Sequence, residues 1–310
     1  MRNYSIDTLK LICAIIVIYA HTPQTAICKI GLTPLTHCVC PIFFMISGYL
    51  TYGKENLDTL LRKRFINTFK IFFKIFIFYF LCFIIANGKD SLEHLSILFS
   101  YNFLLFNQVP FGMHLWYILA YLYVLYIMLF VNKYNFFKSL FYITPILLVT
   151  ALIIGKYSEI TLNCILPNYT RNFLFTGLPF FAIGMMIKHI KYRPSKYITI
   201  ILCLLFYISS IIEICNFFGT GDWCISTIFL SISAFYFCLN IRQNNDNIFS
   251  KTGREDSLYI YLFHYAFAAF LSVVAHRIPY LPYYSAPLVF CATMILVKLL
   301  KKLKIIGRII

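Results

Sequence analysis

The sequence predicts an all-α, polytopic membrane protein with ten transmembrane helices and both termini in the cytoplasm. Two compositional facts and one pattern carry this. Of 310 residues, 61% are hydrophobic and only 12% charged, and the mean hydropathy is +0.79. Apolar runs long enough to cross a bilayer, about 20 residues each, recur from one end to the other with short polar breaks. The basic residues concentrate in alternate breaks, the asymmetry that orients a membrane protein. No extended soluble block interrupts the runs, so residues 1–310 read as a single transmembrane domain.

The runs lie at about residues 8–26, 36–52, 69–86, 113–131, 139–155, 173–189, 196–215, 223–240, 257–275 and 284–302. The first has Asp7 and Lys10 in its opening turns and no small-residue cleavage site, so it reads as a retained span and not as a removable signal. After the second run come Lys54, Arg62, Lys63, Arg64 and Lys70; after the fourth, Lys133 and Lys138; after the sixth, Lys188, Lys191, Arg193 and Lys196; after the eighth, Arg242, Lys251 and Arg254. The tail adds Lys298, Lys301, Lys302, Lys304 and Arg308. The other connections hold only Lys29, Lys89, Lys156, Arg171 and Arg277. The dense side is therefore assigned to the cytoplasm. The formal net charge of +16 thus reports topology, and nucleic acid is not an expected partner.

One further run, LSILFSYNFLLF at 95–106, is too short to span. As a helix it would rise only about 18 Å, and counting it would invert every later connection. It reads as an interfacial or re-entrant piece, tolerated where protein or a water-filled cavity covers its backbone. Neither an internal repeat nor a matched pair of Gly/Pro-broken helices, common in secondary transporters, is visible.

The first run, IDTLKLICAIIVIYAH at 6–21, carries the chemistry. From Lys10 to His21 is about three helical turns and roughly 16 Å, which puts both side chains on one face. Asp7 joins them three residues before Lys10, where it pairs with the ammonium and lowers the cost of burying both. Ala14 and then Val17 or Ile18 lie on the same stripe, and the small Ala14 leaves room for a ligand or for a neighbouring helix. Ionisable groups inside a span are costly and point to function. His21 follows a long apolar stretch that favours neutral imidazole, the form a general base requires.

The seven histidines differ in depth. His37, His94, His189 and His276 read as hydrogen-bonded structural residues. His264 lies inside the ninth run, three residues after Tyr261. The eleven cysteines are scattered through apolar runs, where a thiol acts as a small hydrophobe. Cys38 and Cys40 beside His37 lack the paired spacing of a structural zinc site, so no metal is expected.

The opening stretch resembles the first helix of the acyltransferase family 3 membrane proteins, O-acyltransferases that modify cell-surface glycans, in which a basic residue, ten others and a histidine form the signature. Lys10 and His21 match it. The resemblance continues through FFMISGYL at 43–50, the basic connection at 62–64, HLWYI at 114–118, GLPFFAIG at 177–184 and SLYIYLFH at 257–264, and so covers nearly the whole chain. It implies transfer of an acyl group, usually acetyl, from cytoplasmic acyl-CoA to a hydroxyl of an exported or lipid-linked saccharide. Acyl-CoA would serve as co-substrate with no bound cofactor, and the setting would be a bacterial cytoplasmic (inner) membrane, with lipid as the surrounding partner.

By that resemblance His21 is the catalytic base and Lys10 a donor-binding or site-organising cation, with Asp7 beside it. Arg62, Lys63 and Arg64 face the CoA phosphates, which arginine binds bidentately; the same residues also orient the protein. The family pattern of two arginines three apart is not kept, since Phe65 follows Arg62 and Asn67 follows Arg64 at that spacing. Acceptor-side candidates are His114, Trp116, Ser47, Tyr261 and His264, with Ser47, Tyr261 and Trp116 also candidates for the oxyanion donors. Trp116 reads first as an interfacial aromatic, and His264 first as a hydrogen-bonded structural residue. The alternative activity is a transporter or flippase of lipid-linked sugars; a membrane anchor for a soluble partner would leave Lys10 and His21 unexplained.

Overall fold

The computed structural model describes residues 3–87, 100–166, 168–241, 243–275, 277–278 and 280–307. It is 78% helix, and the described residues contain no strand. The helices in chain order are α1 (Tyr4–His21), α2 (Ala26–Thr51), α3 (Leu57–Asn87), α4 (Tyr101–Leu104), α5 (Trp116–Lys133), α6 (Phe137–Ile154), α7 (Ser158–Thr161), α8 (Leu178–Ile190), α9 (Lys196–Asn216), α10 (Ile225–Asn240), α11 (Ile248–Glu255), α12 (Ser257–Ala275) and α13 (Leu281–Lys302). A 3-10 turn, Met113–Leu115, leads into α5, and a π turn, Phe173–Gly177, leads into α8.

Nine of these segments are long and apolar enough to cross a membrane. The tenth run, expected at 223–240, is the 16-residue α10, which falls short by length. Its start is set by Glu213 of α9, whose carboxylate accepts the Ser226 N–H at 2.8 Å and so satisfies an orphan donor of the first turn. Ile201, Leu204, Leu205, Ile208 and Ile212 of α9 are all exposed, as are Ile77, Phe78, Leu81 and Ile85 of α3. Apolar surface of that extent belongs against lipid, and the protein is an integral membrane protein.

Two starts depart furthest from the sequence reading, and the first helix closes at His21, five residues before the expected end. The second span begins ten residues early, at Ala26, and runs through Pro34 and Pro41. Thr33 and Thr36 hydroxyls bond the carbonyls of Lys29 and Thr33 around the first proline, one of the ways a membrane helix re-satisfies backbone that proline frees. The third also begins early. Arg62, Lys63 and Arg64, expected in a connection, sit in the opening turns of the 31-residue α3. At about 46 Å this helix outruns a roughly 30 Å hydrocarbon core. Asp58 supports those turns by pairing with Arg62 at 2.6 Å, an i,i+4 contact. Of the run at 95–106, residues up to Phe99 lie outside the described residues; Ser100 then caps the single turn of α4 through a bond from Phe103 N–H.

The chain gathers into two compact units. The first comprises Met1–Phe43, Arg193–Cys215 and Ile225–Ile310. Its core joins Leu11, Ala14 and Ile18 of α1 to Ile260 and Ala268 of α12 and to Ala286 and Val289 of α13. The polar contacts fit this packing: Cys38 Sγ donates to Thr227 O at 3.6 Å, and Tyr207 Oη donates to Gly31 O at 2.9 Å.

The second unit comprises Phe44–Tyr192 and Asn216–Cys224. Here α2 and α8 cross with their backbones in contact. A methyl added at Gly48 would stand 1.9 Å from Phe181 O, and one at Gly184 would stand 2.1 Å from Met45 O. The glycines of FFMISGYL and GLPFFAIG are therefore two sides of one crossing, the close approach that small residues permit between membrane helices. Gly48→Ala and Gly184→Ala are each expected to cost about 1–3 kcal/mol, because the obstacle is backbone and cannot turn aside. Gly31→Ala, whose added methyl meets only a tyrosine hydroxyl at 3.7 Å, is expected to be tolerated. Thermal unfolding of the detergent-solubilised protein followed by size-exclusion chromatography checks this.

Candidate active site

The N-terminal end of α1 is a charged knot. Asn3 caps the helix by accepting the Ser5 N–H at 3.0 Å, and its first turn carries Asp7. Asp7 is buried, and Lys10 Nζ donates to its Oδ1 at 2.9 Å with the lysine side chain 24% exposed. A second cation was not anticipated. Arg254 of α11 comes within 3.9 Å of Asp7 Oδ2 while binding Asp246 through both terminal nitrogens, at 3.2 and 2.7 Å. Those bonds push the Arg254 guanidinium further towards its charged form. Its approach depends on Gly253, where an added methyl would stand 1.8 Å from Asp7 O. The helix end is also tied down by neutral bonds: Ser5 Oγ donates to Ile241 O and accepts the Gln243 N–H, and Thr8 Oγ1 donates to Gln243 Oε1 at 3.1 Å.

His21 ends α1 half-buried. Its ring centroid lies 5.3 Å from that of His264 and 5.4 Å, edge on, from that of Tyr265. His264 is fully buried, and its Nδ1 lies 2.7 Å from Tyr261 O and 3.3 Å from Ile260 O. A carbonyl accepts only, so Nδ1 carries the hydrogen, and Nε2 of the neutral ring carries the lone pair. The site thus pairs two imidazoles, one accessible and one held in a fixed tautomer. The next residue, Thr22, has a buried hydroxyl with no partner among the described residues.

The room left by Ala14 is taken by a helix. Ala14 and Ile18 are wholly buried in the apolar core with α12 and α13, so the stripe between Lys10 and His21 is packed with protein. Its two ends are polar and its middle is dry.

The remaining expected site residues belong to the second unit. Ser47 is half-buried, and its carbonyl accepts Thr51 Oγ1 at 2.6 Å. Arg62 and Lys63 are exposed; Arg64 turns back and donates to Thr51 Oγ1 at 2.5 Å. His114 is buried, with its ring 4.9 Å from that of Tyr79, and Trp116 is buried beside Tyr117. His189 holds a structural bond, Tyr52 Oη to its Nδ1 at 2.6 Å; His37 is half-buried. His94 and His276 lie outside the described residues.

A family profile described as an acyltransferase domain matches residues 3–300. The chain belongs to the acyltransferase 3 family. No curated protein and no solved structure matches it. The protein is therefore a membrane acyltransferase, and the Lys10 to His21 helix of this acyltransferase lies within the matched region, as do Arg254, Tyr265 and Thr22, which sequence reasoning passed over. Thr22 and Tyr265 carried a signal, their adjacency to His21 and His264.

In this acyltransferase Asp7→Asn is expected to destabilise by about 1–3 kcal/mol, discounted from the buried-pair range because Lys10 is partly exposed. Adding Lys10→Met to it should recover most of that loss. Thermal unfolding of the two single variants and the double variant measures the coupling.

Proposed function

We propose that the protein is an O-acyltransferase that moves an acyl group, most simply acetyl, from cytoplasmic acyl-CoA to a hydroxyl of an exported or lipid-linked saccharide. The observation that carries this is the His21–His264 pair: an accessible imidazole against a buried one whose tautomer is fixed by Tyr261 O. A thioester is already activated, so the protein must remove the acceptor proton, align the reactants and stabilise an oxyanion. His21 takes the hydroxyl proton as the oxygen attacks the thioester carbonyl. The tetrahedral intermediate collapses with loss of the CoA thiolate, which takes up the proton from His21. The Thr22 hydroxyl, beside the base, is a donor for the oxyanion or the acceptor, alongside the earlier candidates.

On this reading α10 completes ten crossings, and the side rich in Lys and Arg faces the cytoplasm of a bacterial inner membrane. Lys10 then stands near the inner face, with Asp7 and Arg254 organising it, and His21 near the outer. The CoA arm does not run along the Lys10 to His21 stripe, since Ala14 and Ile18 on it are buried against α12 and α13. The same packing argues against a flippase path there, which would need polar lining. Arg62, Lys63 and Arg64 in the opening turns of α3 dock the CoA phosphates.

Membranes given radiolabelled acetyl-CoA and de-O-acylated envelope polysaccharide test this. The wild type should label the polysaccharide, and His21→Ala should lose about 10²-fold or more of the rate; equal labelling contradicts the assignment. Replacing Arg62, Lys63 and Arg64 by Gln is expected to raise KM for acyl-CoA more than it lowers kcat, as loss of ground-state binding does. An unchanged KM in a correctly oriented protein would exclude their docking role.

A further inference from the structure

Three segments of the second unit are knitted together at connections that the charge asymmetry places on the outer side. Backbone meets backbone at three glycines: a methyl at Gly219 would lie 2.3 Å from both Gly155 O and Lys156 O, and one at Gly221 would lie 2.6 Å from Lys156 N. Thr220 Oγ1 donates to Leu166 O at 2.6 Å. Asn172 caps the π turn before α8 by accepting the N–H groups of Leu174 and Phe175, and its amide donates to Tyr169 O at 2.7 Å. Trp223 Nε1 donates to Thr176 Oγ1, which donates to Thr170 O. Segment 168–172 is thereby tied to its neighbours through Asn172, Tyr169 O and Thr170 O.

The same frame carries polar groups at its surface, and Asn168 belongs to both, since its Oδ1 accepts the Thr170 N–H and hydroxyl at 3.3 and 3.1 Å. Arg171 grips Asp222 through Nε and Nη2, and Asn168 Nδ2 adds a third bond to the same carboxylate at 3.1 Å. The pair is not sealed away: the arginine side chain is 42% exposed and that of the aspartate 24%. An ion pair so exposed adds little to folding, a small return for three donors on one carboxylate. Between Asn168 and Arg171 in sequence, Tyr169 places its half-buried ring 4.7 Å from the half-buried ring of Phe106. Asn107, next in sequence to Phe106, accepts the Phe173 N–H and has its buried amide Nδ2 without a partner among the described residues. A buried donor left unspent is costly to keep.

We infer that Arg171, Asp222 and Asn168, with the rings of Phe106 and Tyr169, bind a sugar ring of the acceptor saccharide; this rests on the acyl-transfer reading above. The chemistry selects the ligand. A charge-balanced pair has little preference for an anion or a cation, but a carboxylate flanked by guanidinium and amide offers acceptors and donors side by side, as neighbouring hydroxyls require. The aromatic pair supplies an apolar wall for the C–H face of the ring, and a few fixed polar groups against aromatic surface are the usual composition of a small-ligand site.

The test is acyl transfer from radiolabelled acetyl-CoA to de-O-acylated envelope polysaccharide by the full-length protein in membranes, with KM measured for each substrate. Tyr169→Ala and Asp222→Asn are each expected to raise KM for the polysaccharide about tenfold or more and to leave KM for acetyl-CoA where it was. The exchange Arg171→Asp with Asp222→Arg keeps the ion pair but reverses donors and acceptors, so it should fold and remain defective for the polysaccharide. A wild-type polysaccharide KM in Tyr169→Ala, or its recovery in the exchanged pair, would show a structural clasp and overturn the inference alone. Acetyl-CoA turnover by the wild type with no labelled polysaccharide would overturn the parent reading and this inference with it.

Discussion

A carboxylate buried at the start of a membrane-spanning helix must be neutralised where it stands, and the neutralisation of Asp7 holds the N-terminal end of α1 in place. Lys10 supplies one cation from the next turn and Arg254 approaches as a second from α11. Each is tied to something else: Lys10 to the helix that ends in His21, Arg254 to Asp246. The close contact at Gly253 and the bonds of Ser5 and Thr8 then fix α11 and the segment before it against α1. The cost of burying charge is offset by one partner from the next turn and one from a distant part of the chain, and together they set the start of the helix.

From that fixed start the helix runs through an apolar core to its second polar end. Leu11, Ala14 and Ile18 bind α1 to α12 and α13, so the position of His21 relative to His264 follows from helix packing and not from a loop. Groups on packed helices are held more precisely than groups on loops. An imidazole whose neighbour is itself pinned by a backbone carbonyl has the fixed placement that proton transfer, as proposed for His21, would require. The second unit uses glycine to the same end. At Gly48 and Gly184 helices touch backbone to backbone, and Arg62, Lys63 and Arg64 rise from helix α3 in that unit.

Much of this was legible in the sequence, and the reasons for the rest are physical. Apolar runs announce spans because lipid leaves helices no other way to satisfy their backbones. Asp7, Lys10 and His21 were legible as one face because spacing along a helix fixes azimuth on that helix. Spacing gives no azimuth between helices, so it showed neither Arg254 near Asp7 nor His264 beside His21. The glycines of two motifs were visible as residues but not as partners, since their meaning lies in a crossing. The starts of α2 and α3 were misplaced because proline and charge usually mark breaks, whereas Thr33 and Thr36 bond the backbone around Pro34 and Asp58 steadies the basic turns. Ala14 offered room, and the fold filled it.

On the proposed function, one helix presents a cation to the donor's side of the membrane and a base to the acceptor's side. The direct measurement is labelling by a membrane-impermeant maleimide in sealed vesicles of known orientation, with the exposed native cysteines replaced by serine. Lys10→Cys should react only from the cytoplasmic face and His21→Cys only from the opposite face. Reaction of both from the same face would contradict the account.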